Sequence, residues 1–166
     1  MKEEYIFEII KKLGADLPKF PDGRIDYTNS ISAPVLIIFV RFQDRILLLK
    51  RSKKVNTYKG KWSSVAGYLD EIKPIRQKVL QELKEETNIG EDSIMDIKFG
   101  QSYKIKDDTV HKLWLRFPVL VELKEKPRIK LDYEHTDHKW IKPEEINKHD
   151  TPLFFHISWE MLQKYA

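Results

Sequence analysis

The stretch from Gly67 to Ile89, GYLDEIKPIRQKVLQELKEETNI, constrains the fold most, because it requires one helix with two unlike edges. A glycine closes a short apolar approach, a polar loop follows, and Pro74 stands where a helix opens. The first helical turn has no use for the N–H that proline lacks. At about 100° of rotation per residue, Ile75, Val79 and Leu83 fall on one stripe, with Leu80 on its flank. Glu82, Glu85 and Glu86 lie along the border of that stripe.

Glu82 and Glu86 form a like-charge pair one turn apart, which costs an isolated helix only about 0.2–0.5 kcal/mol. Partial burial is what gives the arrangement chemical meaning, since crowded, desolvated carboxylates must take up protons or meet a cation. Hard divalent ions such as Mg²⁺ prefer oxygen ligands and bridge naturally to phosphate. An arbitrary E-x-x-E-E is more often a solvated face, here softened by Lys78 and Lys84.

The surroundings favour the metal. From Gly67 to Ile89 the chain resembles the signature of the Nudix family, G-x5-E-x7-R-E-U-x-E-E-x-G-U with U aliphatic. Gly67 matches the first glycine, Glu82 and Leu83 the E-U step, Glu85 and Glu86 the acid pair, and Ile89 the last aliphatic. Three positions depart: Lys73 replaces a glutamate, Gln81 an arginine, and Asn88 the second glycine. Asn88 suits the left-handed residue that ends a helix. Gln81 reduces an orienting ion pair to a hydrogen bond, unless Arg76 compensates from elsewhere. Lys73 puts a cation close to the expected metal cluster, where Asp70 or Glu71 would supply the missing acid. The expected consequence is fewer or weaker metal sites.

The resemblance implies an α/β fold, a Nudix-type α/β/α sandwich with a mixed sheet. It also implies a divalent-metal-dependent pyrophosphohydrolase using Mg²⁺ or Mn²⁺, acting on a nucleoside diphosphate joined to another group. Glu82, Glu85, Glu86 and the backbone carbonyl near Ala66 would hold metal. One of the glutamates or the outlying acid Glu134 would serve as general base, giving Glu85, Glu82 and Glu134 as catalytic candidates. The alternative is an impaired Nudix-fold module that binds a nucleotide or RNA. An isoprenyl diphosphate isomerase of the same fold would need a reactive cysteine, and the chain has none.

The other expectations come from the residues. The 166-residue length, 41% hydrophobic and 34% charged, suits a single globular unit, and the resemblance implies that residues 31–166 are the Nudix domain, behind a helix and lead-in over 1–30. Zero cysteines exclude disulfides and thiolate chemistry and fit a reducing cytoplasm. No apolar run reaches the roughly eighteen residues that cross a bilayer, and MKEEYIFEIIKKLG is too acidic and interrupted for a secretory signal. The net charge of +4 comes with 26 interleaved acids, so nucleic acid is a possible partner but not the favoured one.

One basic cluster stands out, from Lys50 to Lys61, and with it come the substrate candidates Arg51, Lys61, Trp62 and Tyr58. Among Tyr58, Trp62, Tyr103 and Trp114 one ring is expected to face substrate, since aromatic residues in a sheet are usually core. The Lys53 to Lys61 loop and the Gly100 to His111 hairpin would carry specificity. His135 and His138 read as ordinary polar residues, having no partner set of zinc-ligand type. Near the N-terminus, Tyr5, Ile9 and Leu13 align beside Ile6 and Ile10 in a helix that covers the core or joins a homodimer.

Overall fold

The computed structural model of the protein describes residues 3–165. In chain order the elements are helix α1 (Glu3–Gly14), strands β1 (Ser32–Phe42), β2 (Arg45–Arg51), β3 (Trp62–Ser63) and β4 (Val65–Tyr68), and helix α2 (Ile75–Thr87). Strands β5 (Ile94–Phe99), β6 (Tyr103–Asp107), β7 (Lys112–Leu123) and β8 (His135–Ile141) follow, then a short 3-10 turn (Pro143–Lys148) and helix α3 (Phe155–Tyr165). No helix among the described residues is long and apolar enough to cross a membrane.

The fold is a mixed α/β sheet with flanking helices. Strand β1 pairs in parallel with β7 from Ser32↔Leu113 to Arg41↔Glu122, and antiparallel with β2 and β4. Its residues Ala33 to Val40 are all buried, as a continuous apolar run requires of a strand covered on both faces. Strands β6 and β5 share the other side of β7, and the pairing passes from one to the other between Arg116 and Val119. Pro118 sits in that break, where a missing N–H interrupts neither antiparallel ladder. Phe155, Trp159 and Leu162 of α3 are buried, and Phe39 meets the first two rings at 5.1 and 5.3 Å.

Helix α2 carries the carboxylates. Ile75, Val79 and Leu83 enter the core, and Leu80 is half-buried on the flank. Pro74 is the N-cap rather than the first helical residue. Asn88 ends the helix at φ 61°, its N–H donating to the Lys84 carbonyl at 3.1 Å. At the other end the Ile75 N–H donates to Glu3 Oε1 at 2.8 Å, placing an acid from α1 at the positive pole of α2.

The first thirty residues join the same core through Ile6, Ile10, Ile25 and Tyr27. Tyr5 does not, at 55% exposed, because the buried line of α1 runs through Ile6 and Ile10 instead. The lead-in is tied down by the buried Lys112, whose Nζ donates to the carbonyls of Tyr27 at 2.9 Å, Thr28 at 3.0 Å and Ser30 at 2.5 Å. It runs beside the loop before α2, with the Ile25 N–H donating to the Asp70 carbonyl at 2.8 Å.

Candidate active site

A cavity of about 790 Å³ opens between the loop after β2, strand β4, the inner edge of α2 and the loop before β8. Glu82 and Glu85 line it from the helix, Ala66 and Gly67 from β4, and Asp132 and Glu134 from the far loop. Arg51, Lys54 and Tyr58 line it from the basic loop, with Tyr68, Trp114 and Arg116 from the sheet. Arg24, from the N-terminal lead-in, also reaches the wall.

The buried part of the acid edge is already neutralised in part, by a residue expected in solvent. Lys78 is 3% exposed, and its Nζ lies 3.0 Å from Glu82 Oε1 and 3.0 Å from Asp70 Oδ1. Burial works against its charge, but the two carboxylates outweigh burial and hold its pKa above the ordinary lysine value. Glu82 is pushed up to about 7, chiefly by burial, against the pull of Lys78 and with a further push from Glu85. Its side chain fits only because Gly67 has no Cβ, which would stand 2.3 Å from Glu82 Cδ.

Glu86 is deeper and projects beside β4, its Oε1 accepting the Ala66 N–H at 3.3 Å. Burial, then repulsion from Glu82 and Glu134, pushes its pKa well above the usual carboxylate range. Its Oε2 faces His135 Nε2 at 3.7 Å, a buried nitrogen with no hydrogen-bond partner among the described residues. His135 therefore belongs to this cluster, whereas His138 is exposed. Glu134 lines the cavity next to His135, and burial followed by the charge of Asp132 raises its pKa.

Two of the three departures from the signature, Lys73 and Gln81, bond to each other. Lys73 Nζ donates to Gln81 Oε1 at 2.9 Å and pairs with Glu71 at 2.8 Å, while Gln81 Nε2 donates to Glu85 Oε1 at 2.9 Å. Lys73 is thus drawn away from the buried acids, and Lys78 is the cation among them. Asp70, one of the two acids expected to stand in for the missing one, lines the cavity with Oδ1 on Lys78 and Oδ2 on Arg24. Arg76 does not compensate for Gln81, because it pairs with Glu91 on the surface. Glu85 is the exposed member of the three glutamates.

On the opposite wall, Tyr58, Trp114 and Tyr68 form a continuous aromatic surface, with ring centroids 6.3 and 6.1 Å apart. Two of the four aromatic candidates, Tyr58 and Trp114, therefore face the cavity. Tyr103 is held by Ser158 at 2.5 Å. Trp62 lies off the cavity, with the Lys139 ammonium 3.8 Å from its ring centre, and Lys61 is turned away to Asp150 at 2.5 Å. Arg51 does line it, anchored by its Nε donating to the Thr57 carbonyl at 2.9 Å. Of the two loops expected to set specificity, the first lines the cavity from Lys54 to Tyr58. The hairpin contributes indirectly, through Asp107, which accepts the Tyr58 hydroxyl at 2.7 Å.

A glycine seated against a helix glutamate, with two further acids on the next turn, repeats the signature in three dimensions, and a family profile described as NUDIX domain matches residues 31–164. The chain belongs to the NUDIX family. That membership makes it a hydrolase by kind.

Solved Nudix structures share the fold. A MutT protein from Methanosarcina mazei Go1 is 22% identical, with 82% of this chain and 96% of that one covered at a TM-score of 0.63. An Ap4A hydrolase from C. elegans is 19% identical over 81% and 96%, at 0.60. A bifunctional NMN adenylyltransferase/ADP ribose pyrophosphatase from Francisella tularensis, complexed with AMP and a Mn ion, is 21% identical. It covers 98% of this chain, which spans 47% of that longer protein, at 0.63. At these identities the likeness establishes the fold. No curated protein matches the sequence at a significant level.

The donor set of this Nudix site suits a hard divalent ion. Glu82 and Glu86 are buried, carry raised pKa values and repel each other, a state that a cation relieves. Among the described residues no three acid or histidine side chains already converge as a metal cage. Mg²⁺ does not require one, since it is commonly held by one or two carboxylates together with substrate phosphates and water.

Proposed function

We propose that the protein is a divalent-metal-dependent pyrophosphohydrolase that cleaves the phosphoanhydride of a nucleoside diphosphate linked to another group. The observation that carries this reading is the pairing, in one cavity, of a buried acid edge with a basic and aromatic wall. The acid edge suits cations and the wall suits a nucleotide. Glu85, Glu86, the free oxygen of Glu82 and the backbone of Ala66 would hold Mg²⁺ or Mn²⁺. When bound, such ions neutralise phosphate oxygens and lower the pKa of water at the reacting phosphorus.

The remaining work falls to the chain. Arg51 and Lys54, which line the cavity, would take phosphate oxygens, and the adjoining Tyr58, Trp114 and Tyr68 rings would stack a base. Glu134 has a pKa raised toward the operating range, which suits a carboxylate that accepts a proton from the attacking water. Water attacks one phosphorus, the bridging P–O bond breaks, and two phosphate-terminated products leave.

The test is phosphate or pyrophosphate-linked product release from nucleotides, nucleotide sugars and dinucleoside polyphosphates with Mg²⁺ or Mn²⁺, wild type beside Glu85→Gln. Metal-dependent turnover that disappears in the variant is the expected result. A variant as active as wild type would remove Glu85 from the mechanism.

The Lys78 ion pair also favours a second reading, a module that binds a nucleotide or RNA without turnover. Under that reading no member of the panel is hydrolysed by folded protein. The melting temperature then responds to anions and salt rather than to divalent metal.

A further inference from the structure

Glu82 is met by a cation at one oxygen, Oε1, among the described residues. Lys78 Nζ lies 3.0 Å from Oε1, approaching from the preceding turn of the same helix. The same ammonium lies 3.0 Å from Asp70 Oδ1 and 4.0 Å from Glu71 Oε1, so it sits among three carboxylates. Its side chain is 3% exposed, and it lines the cavity beside Asp70 and Glu82. Asp70 is fixed from the other side by Arg24 at 3.4 Å, with its backbone carbonyl held by the Ile25 N–H at 2.8 Å.

A carboxylate can bridge two cations, one on each oxygen, and crowded acids in a cavity invite that arrangement. Here one of the two oxygens is already occupied by a positive charge that the polypeptide itself supplies. We propose that the Lys78 ammonium stands in for one divalent ion, so that Glu82 contributes Oε2 alone and the cavity takes up one metal ion fewer than its acids would otherwise hold. This inference rests on the metal-dependent reading above and assigns Lys78 a place within the site.

A tethered cation of this kind has three consequences. It is present at all metal concentrations. It cannot activate water, because an ammonium has no open coordination position. It lowers the net negative charge that draws further ions into the cavity. Lys78 is therefore a positioning and charge-balancing residue, and the metal that acts on water must be held on the Glu85 and Glu86 side.

The test counts ions and requires no turnover. Mn²⁺ bound per chain is measured from the paramagnetic signal of free Mn²⁺ and by titration calorimetry, without substrate, for wild type, Lys78→Met and Lys78→Arg. The expected result is one tightly bound ion in wild type, one in K78R, which keeps the charge, and two in K78M. Equal counts in wild type and folded K78M, or two ions in wild type, would overturn the proposal while leaving metal dependence intact. No Mn²⁺ bound by wild type would overturn the proposal, and turnover of the nucleotide panel with and without metal then decides metal dependence separately. If K78M does not fold, the wild-type count decides: one ion supports the tethered cation, and two rejects it.

Discussion

His135 Nε2 lies 3.7 Å from Glu86 Oε2, and both side chains are shut off from solvent. Burial disfavours the charged form of each, which drives their titrations in opposite directions. His135 falls from 6.5 to about 4, mainly through burial, with Asp132 pulling the other way. Glu86 rises well above 4.5, and Glu82 rises to about 7. The depressed histidine contributes stability above pH 6.5 that is lost as pH falls toward 4. The raised Glu82 contributes stability at low pH that is lost as pH climbs from 4.5 through 7.

Across the shared window the histidine offsets one of the two raised acids. In metal-free protein the wild-type melting temperature should therefore fall between about pH 5 and 6.5, and that of His135→Gln should fall more steeply over the same range. Thermal melts of both proteins in one set of buffers check this. Parallel profiles would mean that His135 does not titrate as its burial demands.

The same acids make metal binding depend on pH. Ligands must be deprotonated before they bind, so Mn²⁺ should raise the melting temperature more at about pH 7.5 than at 5.5. Melts with Mn²⁺ and with chelator at each pH give the difference directly. A pH-independent increment would place the ion away from Glu82 and Glu86.

Gly67→Ala should damage the site more than the fold. The new Cβ would stand 2.3 Å from Glu82 Cδ, and what must move is a side chain rather than backbone. Glu82 leaves Lys78, and overpacking of this kind costs about 1–3 kcal/mol, or roughly 2–4 °C per kcal/mol at this size. Loss of metal-dependent turnover with a folded spectrum is expected, and unchanged Mn²⁺ affinity would sink the idea.

Much of this arrangement is legible in the sequence because it is local. The 3.6-residue period places Ile75, Val79 and Leu83 inside, the left-handed preference of asparagine closes the helix at Asn88, and one turn separates Gln81 from the Glu85 it holds. What was not legible depends on partners far along the chain. Lys78 reads as a solvated residue because lysine on a helix ordinarily is one; only the loop that brings Asp70 back across eight residues makes a buried ammonium stable. His135 looks like any polar residue in an alternating strand, since nothing local reveals that β8 faces Glu86. Lys61 and Trp62 adjoin the basic loop in sequence, but pairing of β3 with β2 turns them toward Asp150 and Lys139.

Tyr58 joins the aromatic wall to the buried acid behind it. Its hydroxyl donates to Asp107 at 2.7 Å and accepts from Trp114 Nε1 at 2.8 Å, in a backbone with φ 56°. Tyr58→Phe should cost about 1–3 kcal/mol by leaving two partners short of a hydrogen bond, and should raise KM more than it lowers kcat. Equal effects on both would argue that the ring takes part in the reaction and not in binding.

Lys112 ties the N-terminal lead-in to the family domain. Three carbonyls, those of Tyr27, Thr28 and Ser30, converge on its ammonium, and burial lowers its pKa from the ordinary value. Lys112→Met fills the space but leaves those carbonyls without their donor, at a cost of about 1–3 kcal/mol. The lead-in also carries Arg24, which holds Asp70, and Tyr27, stacked on Tyr68 at 5.7 Å. Loosening it should therefore be felt in the cavity: the variant should melt several degrees lower, become cleavable by protease between Gly14 and Ile31, and bind substrate more weakly. Reduced stability with wild-type protease resistance in that segment would show that Lys112 supports the sheet alone.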